Sequence, residues 1–174
     1  MIVIDNNILS TLAKIEKIDI LFEVFDPEEI AIVPGVYEEL RNGLNRGYFL
    51  LSEVMNLVSQ EKIKLLPLTE EEILLKSELP VSFDKGEREC LVVCKLRRFK
   101  LVTNEKSVKN FCDREEIDYM DLPDLLRTLW RTELYSKDEV RELVREIEAK
   151  DNVVFKSPEE IFEKGRIKGS ALET

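Results

Sequence analysis

Apolar positions along the chain fall into two patterns. Met1-Ile2-Val3-Ile4 is a short run without alternation, and Ile30-Ala31-Ile32-Val33, Lys100-Leu101-Val102-Thr103 and Ile117 to Met120 are further short, largely apolar segments. Such runs predict strands buried on both faces, as in the middle of a parallel sheet. Between them the spacing is helical. Ile8 to Phe25 predicts one or two short helices, broken around Glu16 to Asp19 and closed by Asp26-Pro27. Pro34 opens a helix that carries Glu38 and Glu39 and stops at Asn42-Gly43. Residues 46 to 60 predict another helix, Ile63 to Leu68 a short strand or extended connector, and Thr69 before Glu70-Glu71-Glu72 a further helix. The stretch from about 44 to 80 therefore reads as a helical excursion. The core resumes at Ser82 to Glu87, which opens a helix to about Arg98. A helix from Glu105 to about Arg114 and another holding Leu125, Leu126, Leu129 and Trp130 follow. Strands alternating with helices imply right-handed βαβ units, hence an α/β fold of three layers, α/β/α, around a central parallel sheet.

The end of the chain is patterned differently. Residues 136 to 150 predict a helix dense in both charges, with Val140, Leu143, Val144 and Ile147 as a narrow apolar stripe. Asp151-Asn152 ends it, Val153 to Phe155 is extended, and Ser157-Pro158-Glu159-Glu160 starts a last short helix. The expected division is a domain over 1–133 and a helical C-terminal appendage over 134–174. That appendage packs on the domain or on a second subunit, so a homodimer is expected.

Composition narrows the chemistry. The formal net charge of −10 argues against a surface that binds nucleic acid throughout. The absence of His excludes a Ser-His-Asp triad, a Cys-His dyad and any histidine-ligated metal. Acid–base and metal work falls to carboxylates. Cys90, Cys94 and Cys112 form no paired metal spacing and read as reduced core residues. No signal peptide or apolar run of membrane-spanning length is evident, so the expected location is cytoplasmic, without a membrane partner. The 26 Glu and 15 Lys against one Gln resemble the bias of thermophile proteins.

Four acids stand near strand ends: Asp5 after the first strand, Glu39 on the helix after the second, Glu87 at the start of the central helix and Glu105 after the third. In open α/β sheets, ligands bind outside the carboxyl ends of the strands. Each acid also has a structural explanation. Asp5 suits an N-cap, Glu87 stands three residues after Asp84 as in a capping box, and Glu105 suits a first helical turn. Those effects are worth ~0.3–1 kcal/mol apiece. Four at one end of one sheet ask for a shared cause.

Asp5-Asn6-Asn7-Ile8-Leu9, Val33-Pro34-Gly35-Val36-Tyr37-Glu38-Glu39-Leu40, Gly86-Glu87-Arg88-Glu89-Cys90 and Leu101-Val102-Thr103-Asn104-Glu105 resemble, in order, the four motif blocks of the PIN-domain nucleases, which include the VapC toxins. In the second block the acid precedes Leu, which selects Glu39 over Glu38. The fourth departs from the family pattern, with Glu105 where Asp is usual. One extra methylene moves a carboxylate by roughly a bond length. The resemblance spans residues 1 to about 125.

That resemblance implies a ribonuclease dependent on Mg²⁺ or Mn²⁺, the cations suited to oxygen-only ligands. Asp5, Glu87 and Glu105 are the expected metal ligands and Glu39 the fourth catalytic acid. Asn7, Thr103 and Asn104 are expected supports. RNA is the expected substrate and an antitoxin protein the expected partner if the chain is a toxin. The alternative is a catalytically weakened PIN scaffold serving as a protein-interaction module, which Glu105 favours. Lys95, Arg97, Arg98, Lys100, Lys106 and Lys109 offer either a basic rim for RNA or a solvated helix end.

Overall fold

The computed structural model describes residues 1–151 and 153–163. Asn152 and residues 164–174, part of the expected appendage, lie outside the described residues. The elements run β1 (Ile2–Ile4), α1 (Asn6–Lys14), α2 (Asp19–Phe25), β2 (Ile30–Ile32), α3 (Pro34–Asn45), α4 (Leu51–Ser59), β3 (Ile63–Leu65), α5 (Glu70–Glu78), α6 (Lys85–Arg97), β4 (Lys100–Val102), α7 (Lys106–Glu115), β5 (Tyr119–Met120), α8 (Leu122–Arg131) and α9 (Lys137–Lys150). A 3₁₀ turn follows at Pro158–Phe162.

The sheet is entirely parallel, in the order β3-β2-β1-β4-β5. β1 lies at its centre because Ile2, Val3 and Ile4 are buried on both faces. Helices cover each side, which gives the three-layer α/β/α architecture of the expected fold. β1 pairs with β4 in the register Ile4↔Val102. The residues that leave those two strands, Asp5 and Thr103, therefore emerge side by side at the carboxyl end of the sheet.

Of the two alternatives for Ile63 to Leu68 the structure shows the strand, since Ile63–Leu65 joins the sheet as the edge strand β3. Only Ile63 of its three residues is buried, so its pattern is weak. One expectation needs correction. The helix expected over 46–60 begins only at Leu51, while α3 runs through Gly43 to Asn45. A Cβ on Gly43 would stand 2.5 Å from Leu51 Cδ1, so the glycine admits the α4 side chain instead of ending the helix.

The described part of the tail packs on its own domain. Val140, Leu143, Val144 and Ile147 are buried, and α9 lies against α1 and α8. Asp151 accepts hydrogen bonds from Thr11 Oγ1 and Lys14 Nζ, both at 2.6 Å. Trp130 Nε1 donates to the Ile161 carbonyl at 2.8 Å. Cys90, Cys94 and Cys112 are free and buried, and burial pushes their thiols up, that of Cys112 to about 12. They are unreactive core residues. No described helix is long and apolar enough to cross a membrane.

Candidate active site

Asp5 ends β1 and caps α1, its Oδ1 accepting from Asn6 N at 2.8 Å. Its Oδ2 accepts from Asn7 Nδ2 and from Thr103 Oγ1, both at 2.7 Å. Asn7 Oδ1 accepts from Asn104 N at 3.1 Å, and Thr103 Oγ1 accepts from Glu105 N at 3.2 Å. The three expected supports thus lock the ends of β1 and β4 together around one carboxylate, with Asn104 acting through its backbone. Asp5 is 4% exposed. Burial raises its carboxyl from 3.8 to about 6, against the lowering effect of the Thr103 and Asn6 hydrogen bonds, and the charges of Asp84 and Glu105 add to the rise.

Glu39 approaches from α3. The N-termini of α3 and α6 meet backbone to backbone, since a Cβ on Gly35 would lie 2.8 Å from Gly86 Cα and N. Gly86 in turn leaves room for Glu39, whose Oε1 is 2.6 Å from where a Gly86 Cβ would stand. The Gly86 backbone donates to the Glu39 carboxylate. Burial first, then the charges of Asp84, Asp5 and Glu87, raise Glu39 to about 7. Glu38, by contrast, turns to Lys85 Nζ at 2.8 Å.

Glu87 completes the capping box its spacing suggested. Its N donates to Asp84 Oδ1 at 2.8 Å and its Oε2 accepts from Asp84 N at 2.9 Å. Burial raises it to about 7, with Asp84, Asp5 and Glu105 contributing by charge. Glu105 sits at the N-cap of α7, outside the first turn, and its side chain makes no cap hydrogen bond. Its Oε1 accepts from Ser107 Oγ at 3.2 Å.

Two acids escaped the sequence reading. Asp84 read only as a cap, yet its charge raises Asp5, Glu39 and Glu87 alike. The proximity of a third acid to the Gly-Glu block was its only signal. Glu89 is 2% exposed and ties three helices together, accepting from Gly35 N at 2.6 Å and pairing with Lys76 at 3.0 Å. Its role is to hold the α3–α6 contact on which the Glu39 position depends.

The expected metal ligands Asp5, Glu87 and Glu105 are neighbours electrostatically, but they are not drawn together as a ligand group. Among the described residues no set of three acidic or thiol side chains converges to hold a metal. Glu87 folds back on its own cap and Glu105 turns to Ser107. The donor chemistry still suits a hard divalent cation. Every donor is an oxygen, and no lysine or arginine ion-pairs with Asp5, Glu39, Asp84, Glu87 or Glu105 among the described residues.

Half of the basic run lies away from this site. Lys95, Arg97 and Lys100 lie where α6 passes into β4, at the opposite end of the strands, and pair with Glu115, Glu72 and Asp118. Lys109 pairs with Asp121. Lys106, at the start of α7, is the member beside Glu105.

No curated protein and no solved structure matches the chain. The model of family DUF3368, described as a PIN domain, matches residues 1–163. The four acid-bearing blocks, the parallel sheet and this match agree: the chain belongs to the PIN-domain family, and its fold is of nuclease type.

Proposed function

We propose that the protein is a metal-dependent ribonuclease that hydrolyses phosphodiester bonds of RNA, using Mg²⁺ or Mn²⁺ at the carboxyl end of the sheet. The observation that carries this reading is a set of acids raised by burial and by one another, with no cationic partner among the described residues, at the strand ends where α/β sheets bind ligands. Asp5, Glu87 and Glu105 would hold the metal. Bound there, a divalent cation supplies Lewis-acid activation of water and neutralises phosphate charge. Thr103 and Asn7 fix the Asp5 carboxylate in place. Glu39, held by the Gly86 backbone, orients the attacking water. Lys106, next to Glu105 at the start of α7, would supply the nearby positive charge for the phosphodiester strand.

The test is cleavage of a labelled single-stranded RNA with Mg²⁺ or Mn²⁺, the parent beside Asp5→Asn and Glu87→Gln, with chelator as control. Cutting lost in both variants and in chelator supports the assignment. Cutting that is absent, or equal in parent and variants, favours the scaffold reading, for which Glu105 is the specific observation. A toxin held by an antitoxin is the cellular form of the proposal. Growth arrest on induction, relieved by the neighbouring reading frame's product, tests it.

A further inference from the structure

The turn between α3 and α4 presents three large apolar side chains to solvent. Tyr48, Phe49 and Leu50 are 61%, 77% and 46% exposed. They are held outward by the turn itself: Gly47 takes φ +96°, and Leu51, immediately after them, is buried against Gly43. The three residues wall a cleft of about 630 Å³ whose lining reaches Glu39 and Asn6, the edge of the acid site. That volume suits a small organic group.

The rest of the wall mixes the apolar side chains of Ala13 and Leu51 with polar ones. Ser10 and Asn42 supply a hydroxyl and an amide, and Arg46 a guanidinium with no ion pair among the described residues. Lys14, also in the wall, is already paired with Asp151. Exposed aromatic faces, hydrogen-bonding side chains and an unpaired arginine are what unstacked nucleotides require. An aliphatic peptide would leave the polar groups of this wall unmatched.

We propose that this cleft is a nucleobase subsite: Tyr48 and Phe49 stack on bases of single-stranded RNA beside the scissile phosphate, and Arg46 contacts the adjoining backbone. The inference rests on the ribonuclease reading and adds to it a surface that positions the bases flanking the scissile phosphate.

Binding of a fluorescein-labelled single-stranded uridine oligomer is compared with that of an abasic oligomer of equal length. Anisotropy is read in Ca²⁺ with the full chain. Tyr48→Ala and Phe49→Ala are each expected to weaken the base-bearing probe by roughly tenfold, as for loss of one base–aromatic stack, and to leave the abasic probe unchanged. Phe49→Tyr, and Leu74→Ala at an exposed apolar site on α5, are expected to bind as the parent does. No preference for the base-bearing probe in the parent, or equal weakening of both probes, overturns the subsite. A parent dimer dissolved by Phe49→Ala also overturns it, since a second copy would then cover this face. The two readings fail separately. Base-dependent binding without metal-dependent cutting removes the ribonuclease and leaves the subsite. Cutting that needs Asp5 but ignores Tyr48 and Phe49 does the reverse.

Discussion

Replacing Asp5 with asparagine tests whether the acids are the charged, uncompensated cluster described above. Burial raises the folded carboxyl from 3.8 to about 6. At ~1.4 kcal/mol per pH unit, that rise corresponds to ~3 kcal/mol. The sign follows from linkage. The folded chain holds this proton more tightly than the unfolded chain, so its contribution to stability is fully present below pH 3.8 and is lost as pH rises through about 6. The amide of Asp5→Asn carries no charge at any pH. It does, however, present one donor towards Asn7 and Thr103 where Asp5 accepts, a mismatch worth about 1–3 kcal/mol and independent of pH. The variant is therefore expected to be less stable than the parent near pH 4 and to gain about 3 kcal/mol on it by pH 8. Glu39 and Glu87 act in the same direction, because the Asp5 charge raises both. Urea unfolding of both proteins in chelator from pH 4 to 8 gives the difference curve, in which the hydrogen-bond cost cancels. A flat curve would refute the reasoning. Adding Mg²⁺ at pH 8 should stabilise the parent more than the variant, because a ligand that binds only the folded state shifts unfolding by mass action.

Other expectations separate fold from site. Gly86→Ala meets the movable end of Glu39, so its melting temperature should stay near the parent's while RNA cleavage falls at least tenfold, on the order expected for a displaced catalytic group. Gly35→Ala meets the Gly86 backbone instead and should cost about 1–3 kcal/mol in urea unfolding, as overpacking does. Glu89→Ala leaves the buried Gly35 N–H and Lys76 without their acceptor, and a loss of roughly 3 kcal/mol is expected; a loss within that of an ordinary surface substitution would contradict its role. At the departing position, Glu105→Asp should preserve metal-dependent cutting and Glu105→Gln should lower it at least tenfold, about the cost of a lost charge-stabilising group. Equal activity in both variants would remove Glu105 from the site.

How much was legible depended on burial. β1, β2, β4 and β5 read as apolar runs because strands covered on both faces carry no polar alternation. β3 read only as a strand or an extended connector, since it exposes Lys64 and Leu65 and leaves Ile63 alone to carry the signal. Helical spacing misled at Phe49 and Leu50, which belong to an exposed turn. α5 inverts the usual rule altogether. It buries Glu72 and exposes Ile73 and Leu74, because Arg97 pairs with Glu72 and donates to the Pro67 carbonyl as well. A partner 25 residues away leaves no local trace. The acids and hydroxyl of the candidate site could be placed from the sequence where they follow strand ends, at Asp5, Thr103 and Glu105. Asp84 was not, because a cap and a site acid are the same residue type in the same place.

Magnitude distinguishes the two. An N-cap contributes about 1 kcal/mol, and Ser, Asn or Asp serve almost equally. At Asp5 the cap bond to Asn6 is made, yet ionising the buried carboxyl among its neighbours costs ~3 kcal/mol by neutral pH. Stability alone would favour an uncharged cap there. The same holds at Glu87, whose box with Asp84 is complete while burial and three neighbouring acids still raise it to about 7. Capping thus explains why these residues are tolerated at helix starts and leaves unexplained why several ionisable ones share one strand end. A divalent cation bound among them would turn that repulsion into attraction. On this reasoning the charge penalty of the metal-free chain and its metal affinity have one origin, and a variant that relieves the first should weaken the second.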